Sequence, residues 1–188
     1  MKKLFFTLAV CILAGSFASA QSPSFIKGDN VVSLGIGIGG NLYGWTSGSN
    51  VKKIPPISVS FEHGIVGNLF NDENCSLGVG GLLAYSSAKW DGGGYGWKSS
   101  SIVVGARGAI HYAFMDKLDT YAGLMLGYHI YSHKWTGDYG GYNTSAGASG
   151  LAFSFFGGAR YYFTNSIAAF AELGYGYAIL NLGVSFKL

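Results

Sequence analysis

GGARYYFTNSIAAFAELGYGYAILNLGVSFKL, residues 157–188, closes the chain and decides how the rest is read. Its end alternates strictly. Leu180, Leu182, Val184, Phe186 and Leu188 share one face, while Asn181, Gly183, Ser185 and Lys187 share the other. A period of two is a strand pattern. A strand of a soluble sandwich turns its large apolar residues to a core and its polar ones to water. Here the small and polar face is suited to a narrow interior, and the large residues form the exterior. That inverted polarity is the mark of a strand in a transmembrane β-barrel.

The same alternation runs back through the chain. Asn30 to Gly39 is the first strand, with Val32, Leu34, Ile36 and Ile38 outward. The second carries Ile57, Val59 and Phe61 outward and Ser58, Ser60 and Glu62 inward, with Pro55 and Pro56 at its entry. Strand three, from about Cys75 to Ser87, turns Leu77, Val79, Leu83 and Tyr85 outward. Strand four, from about Ser100 to Phe114, turns Arg107, Ala109 and His111 inward. Strand five places Leu124, Leu126, Tyr128 and Ile130 outside and Tyr121, Met125 and His129 inside. Strand six carries Arg160 and Tyr162 inward, strand seven Phe170 and Glu172, and strand eight is the closing alternation. The fold expected is all-β: an eight-stranded antiparallel up-and-down transmembrane β-barrel over residues 21–188.

The connections alternate in length, as they do in such barrels. The segments 40–53, 89–99 and 133–150 read as long Gly-rich, aromatic loops on the outer side. Met115 to Lys117 and Thr164 to Ser166 read as short turns on the periplasmic side. The connection around Asn71 to Asn74 is longer than this rule expects, and the one near Tyr177 to Ile179 is shorter.

Residues 1–20 read as a cleaved signal peptide. A Met-Lys-Lys start precedes an apolar run from Leu4 to Ala14 and an Ala18-Ser19-Ala20 site. The run is too short for a spanning helix. Taking Lys2 and Lys3 from the 12 basic residues leaves 10 against 9 acidic ones, so the mature chain is close to neutral and nothing points to nucleic acid. Cys11 would leave with the signal, and Cys75 alone can form no intrachain disulfide. Charged residues make up 11% of the chain, less than half the usual share, while there are 31 glycines and 16% aromatics. An exported, apolar chain without a spanning helix is held together by closing its hydrogen bonds into a barrel.

The segment GARYYFTNSIAAFAELGYGYAILNLGVSFKL resembles the small OmpA/OmpX-like outer-membrane barrels often labelled porin-family proteins. The resemblance implies an outer-membrane location, insertion by the outer-membrane machinery through the C-terminal strand, and a monomer in outer-membrane lipid. Such barrels usually end in an aromatic residue, whereas this chain ends Phe186-Lys187-Leu188. The family is defined by fold and place, so the resemblance carries no activity.

Five inward charges stand out: Glu62, Arg107, Arg160, Glu172 and Lys187. A three-residue turn between strands six and seven sets Arg160 opposite Glu172 or one diagonal step away, and a tight last connection brings Lys187 near it too. Glu172 between two cations reads as a structural brace, since an unpaired charge in a narrow lumen is costly. His111 and His129 are inward on neighbouring strands, but no nucleophile or third ligand accompanies them, so neither catalysis nor a metal site is expected. GIGIGG at 35–40 lies inside a strand and makes no nucleotide loop. No cofactor is expected. The candidate contacts for an extracellular ligand are the loop aromatics Tyr43, Trp45, Trp90, Tyr95, Trp97, Trp135, Tyr139 and Tyr142. The expected role is structural or loop-mediated, as in adhesion. A narrow passive channel is the alternative, and a lipid-modifying enzyme the third reading.

Overall fold

The structure is a computed structural model, and it describes residues 24–40, 51–92, 95–137 and 145–188. Eight strands run in order: β1 Asn30–Ile38, β2 Val51–Val66, β3 Cys75–Asp91, β4 Tyr95–Met115, β5 Leu118–Gly137, β6 Ser145–Tyr162, β7 Ile167–Tyr175 and β8 Leu180–Lys187. Each pairs antiparallel with its sequence neighbour, and β8 pairs with β1, from Val31 opposite Lys187 to Ile38 opposite Leu180. The sheet is therefore a closed barrel. The leader assigned to residues 1–20 lies outside the described residues.

The alternation is realised as inverted polarity. Leu34, Ile36, Val59, Leu83, Val104, Leu124, Leu126, Phe153, Leu173, Leu182 and Val184 are exposed, whereas Glu62, Arg107, His111, Asp119, Arg160 and Glu172 are buried. On β4 the outward apolar positions run from Tyr112 to Ile102. Ten residue steps at a tilt of about 40° span about 25 Å, the height of the lipid-facing band of an outer-membrane barrel.

Five strands extend beyond the sequence-based boundaries. β3 continues to Asp91 and β4 begins at Tyr95, so most of the expected second loop is a strand hairpin. β5 and β6 likewise take in His133 to Gly137 and Ser145 to Gly150. β2 starts at Val51, and Pro55 and Pro56 lie within it at a register shift between Ile54 and Ile57. A bulge tolerates prolines that a regular ladder would not. The barrel is uneven as a result: β2 to β6 rise well above β7, β8 and β1.

Both ends are stoppered by the chain itself. At the periplasmic end, the segment before β1 folds back under the barrel. Gly28 N–H donates to the Gly64 carbonyl at 2.8 Å and Gly64 N–H to the Asp29 carbonyl at 2.9 Å. Ser76 Oγ donates to the Phe25 carbonyl at 2.9 Å, and the Phe25 ring stacks on His111 with centroids 4.0 Å apart. The long β2–β3 connection, with a 3-10 turn over Leu69–Asn71, lies at this same end. At the outer end, the short β7–β8 connection tucks inward, and Tyr177 and Ala178 are buried. Gly176 permits the tuck, because its φ of 133° is rarely open to other residues.

Candidate functional site: the charged lumen

Strand alternation aims the buried charges at one another across the lumen, and they form two linked clusters. The lower one is a ring. Arg160 donates through Nη1 to Asp119 Oδ2 at 2.9 Å and through Nη2 to Glu62 Oε2 at 3.0 Å. His111 closes it, with Nδ1 at 2.9 Å from Asp119 Oδ1 and Nε2 at 3.0 Å from Glu62 Oε1. Both carboxylates accept, so the imidazole hydrogen-bonds to both only when each nitrogen carries its proton. Asp119 and Arg160 face each other directly in the β5–β6 register, while Glu62 reaches them from β2.

The upper cluster centres on Glu172. Arg107 Nη2 donates to Glu172 Oε1 at 2.7 Å and Tyr121 Oη donates to the same oxygen at 3.0 Å. Tyr177 Oη and Asn181 Nδ2 each lie 3.5 Å from Oε2, and Asn181 Nδ2 donates to Tyr177 Oη at 2.8 Å. Tyr121 joins the two clusters, since the Arg160 guanidinium sits over its ring at 4.9 Å. The Arg107 guanidinium sits over Phe156 at 4.1 Å. Two guanidiniums and one imidazole thus meet three carboxylates, all of them buried.

The expected brace is corrected in its partners. The β6–β7 register sets Arg160 opposite Phe170 and Gly158 opposite Glu172, leaving Arg160 one diagonal step from Glu172. Its guanidinium turns the other way, to the two acids that hold both of its terminal nitrogens. Glu172 takes Arg107 from across the lumen instead. Lys187 is not near Glu172 either. The last hairpin sets Glu172 opposite Asn181, and Lys187 N–H donates to the Ser166 carbonyl at 2.8 Å. The Lys187 ammonium pairs with Asp29 at 2.7 Å, at the periplasmic rim.

Asp119, Asp29 and the central role of His111 are missing from the sequence reading. Asp119 was legible, because the alternation that turns Tyr121 inward turns Asp119 inward too. Asp29 had no such signal, since it lies before the first strand. Among the described residues no cluster of three or more His, Cys, Asp and Glu side chains could hold a metal ion.

Of the aromatic candidates, Trp90, Tyr95, Trp97 and Trp135 stand on strand extensions rather than in loops. Trp90 faces Trp97 and Trp97 faces Trp135 in register, forming one aromatic rung at the mouth. His133 lies 5.7 Å from the Trp97 ring and 5.3 Å from Trp135, and its Nδ1 is 2.7 Å from Ser99 Oγ. Tyr43, Trp45, Tyr139 and Tyr142 fall outside the described residues.

A closed barrel with an apolar outside and a paired, polar inside is a membrane-spanning one, because every backbone group is satisfied without water. The fold is that of the small eight-stranded outer-membrane β-barrels. Comparison with solved structures agrees. The chain is similar to Ail, the attachment invasion locus protein of Yersinia pestis, in complex with the heparin analogue sucrose octasulfate, at a TM-score of 0.57 and 12% identity over 87% of this chain and 100% of that one. A second structure of Ail aligns at a TM-score of 0.51 and 11% identity over the same shares. The outer-membrane protein OprG from Pseudomonas aeruginosa aligns at a TM-score of 0.47 and 9% identity, over 89% of this chain and 99% of that one. No protein-family model matches the chain, and no curated protein matches it in sequence.

Proposed function

We propose that the protein is an integral outer-membrane barrel that works through its surface, bracing the envelope or presenting its outer rim to a partner, with neither conduction nor catalysis inside. The observation that carries this reading is the filled lumen. The ring of Glu62, His111, Asp119 and Arg160 and the Arg107–Glu172 pair occupy the interior, between Phe25 below and Tyr177 above. An eight-stranded barrel is just wide enough for its side chains to fill. Breaking these pairs to pass an ion would leave buried charges uncompensated. His111 is held by two carboxylates and faces no nucleophile in these contacts, which speaks against acyl chemistry at this histidine.

The interaction side of the proposal rests on the mouth. Trp90, Trp97 and Trp135 give a raised rim of rigid aromatic surface, the kind of side chain that recognises partners at low entropic cost. Ail, whose fold is shared, has been seen with a sulfated sugar analogue, and an extracellular ligand at the rim fits the same architecture. The barrel is proposed to act as a monomer. Planar-bilayer recording of the purified protein is expected to show no unitary steps. Incubation with envelope lipid, followed by mass analysis, is expected to return the lipid unchanged. Steady openings would favour the channel, and a deacylated product the enzyme.

A further inference from the structure

Four lysines stand in a single rung. Lys52 faces Lys89 in the β2–β3 register, Lys89 faces Lys98 in β3–β4, and Lys98 faces Lys134 in β4–β5. All four side chains are exposed. Residues directly opposite lie on the same face, and this face is the exterior: Lys98 continues the series of Ile102 and Val104, and Lys134 that of Tyr128 and Ile130. With strands about 4.8 Å apart, the rung spans about 15 Å of the barrel wall.

Like charges directly opposite one another destabilise a sheet unless something neutralises them. Among the described residues, one acid lies against the rung. Asp91 approaches Lys89 at 3.7 Å, with both groups exposed. The rung below on the same face holds Ser87, Ser100 and Ser132. Beneath these come Tyr85, Ile102 and Ile130, the top of the apolar band. On β3 to β5, two same-face rungs on tilted strands place the lysines about 10 Å above the last apolar side chains, while on β2 the exposed Ile54, opposite Ser87, stands one rung below Lys52. That is the level of lipid headgroups, outside the hydrocarbon.

We propose that the rung Lys52–Lys89–Lys98–Lys134, with the half-buried Ser100 and Ser132 beneath it, binds the phosphate-bearing headgroups of outer-leaflet lipid. Three features select this occupant. The charge is an oblique row across four strands, rising by about 10 Å over its length because the strands tilt by about 40°, so it crosses the headgroup layer beside several neighbouring phosphates. It faces outward from the barrel wall, away from the mouth where a soluble partner would arrive. Its height matches phosphates anchored by acyl chains that pack on the apolar band below. Clustered basic side chains at this level hold anionic lipid electrostatically. The proposal rests on the outer-membrane reading, yet it fails separately from it: a barrel that inserts and shows heat-modifiable mobility without lipid preference refutes only the rung.

The test uses the barrel in uncharged detergent micelles, titrated with short-chain phosphatidic acid, phosphatidylcholine of equal chain length, inorganic phosphate, or soluble heparin. The readouts are the temperature at which the folded gel band is lost and the lipid adducts seen by native mass spectrometry. Phosphatidic acid is expected to bind at least tenfold more tightly than phosphatidylcholine and to raise the melting temperature. The variant K52Q/K89Q/K98Q/K134Q should lose that preference while melting no lower than wild type without lipid, because it relieves the repulsion along the rung and gives up only the solvent-exposed Lys89–Asp91 pair. The corresponding four-arginine variant should keep it. Equal response of the glutamine variant and wild type overturns the proposal. So does an effect reproduced by inorganic phosphate, which marks a free-anion site, or binding of heparin alone, which marks a soluble polyanion site. If the glutamine variant fails to fold, the four probes on the wild type decide, and equal affinity for the two lipids refutes the rung.

Discussion

Glu62 holds His111 with one carboxylate oxygen and Arg160 with the other, so a single substitution undoes two contacts of the ring. Glu62→Gln leaves Arg160 with one acidic partner and His111 with one, all in a buried setting. Breaking a buried pair costs roughly 3–5 kcal/mol, and the folded gel band of E62Q is expected to vanish at a clearly lower temperature than that of wild type. Lys187→Gln is the contrast. Its pair with Asp29 sits at the rim, with the two side chains 22% and 17% exposed. Water shares the load there, and the loss should stay near or below about 1 kcal/mol. An equal loss in both variants would refute the central ring. Which residues face inward was readable from alternation at Glu62, Arg107, Arg160 and Glu172. Which of them meet was not. Partner choice depends on reach across the lumen, between strands as far apart in order as β2 and β6, and a period of two contains no such information.

The N-terminal segment is the element that seals the periplasmic end, and Gly64 is what lets it in. A Cβ at Gly64 would run into the carbonyl oxygen of Ile26. Gly64→Val should therefore lift the strap and leave the barrel closed. The check is proteolysis of the reconstituted protein from the periplasmic side: cleavage ahead of Asp29 should speed up several-fold in G64V while the barrel keeps its mobility shift. Unchanged cleavage would mean the strap is not held at this point. Ser24 to Asp29 has no periodicity from which a strap could be read, and the length of the β2–β3 connection breaks the alternation of long loops and short turns. The structure places strap and connection at the same end. Element boundaries failed where turn-rich composition overrode pairing. Trp90, Tyr95, Trp97 and Trp135 lie among glycines and serines that read as loop, yet the β3–β4 and β4–β5 ladders carry them above the apolar band. Pro55 and Pro56 argued for a strand entry, but a register shift absorbs them inside β2.

At the scale of the whole molecule, the inverted polarity of segment 157–188, repeated back through the chain to Asn30, made the fold legible, because that pattern has few solutions. Eight strands of alternating residues with an apolar outside can only be closed on themselves in lipid. The filled interior then follows from strand number, since this circumference leaves just enough room for side chains. What the number eight does not dictate is the choice of filling. Here three carboxylates, two guanidiniums and an imidazole form the packing, with Phe25 and Tyr177 closing the ends. The most direct test is single-channel recording in planar bilayers, comparing wild type with the double variant R107A/E172A, which removes the upper pair while keeping charge balance. Wild type is expected to be electrically silent, and the double variant to show intermittent steps. Steady, reproducible openings of the wild-type barrel would contradict the sealed lumen.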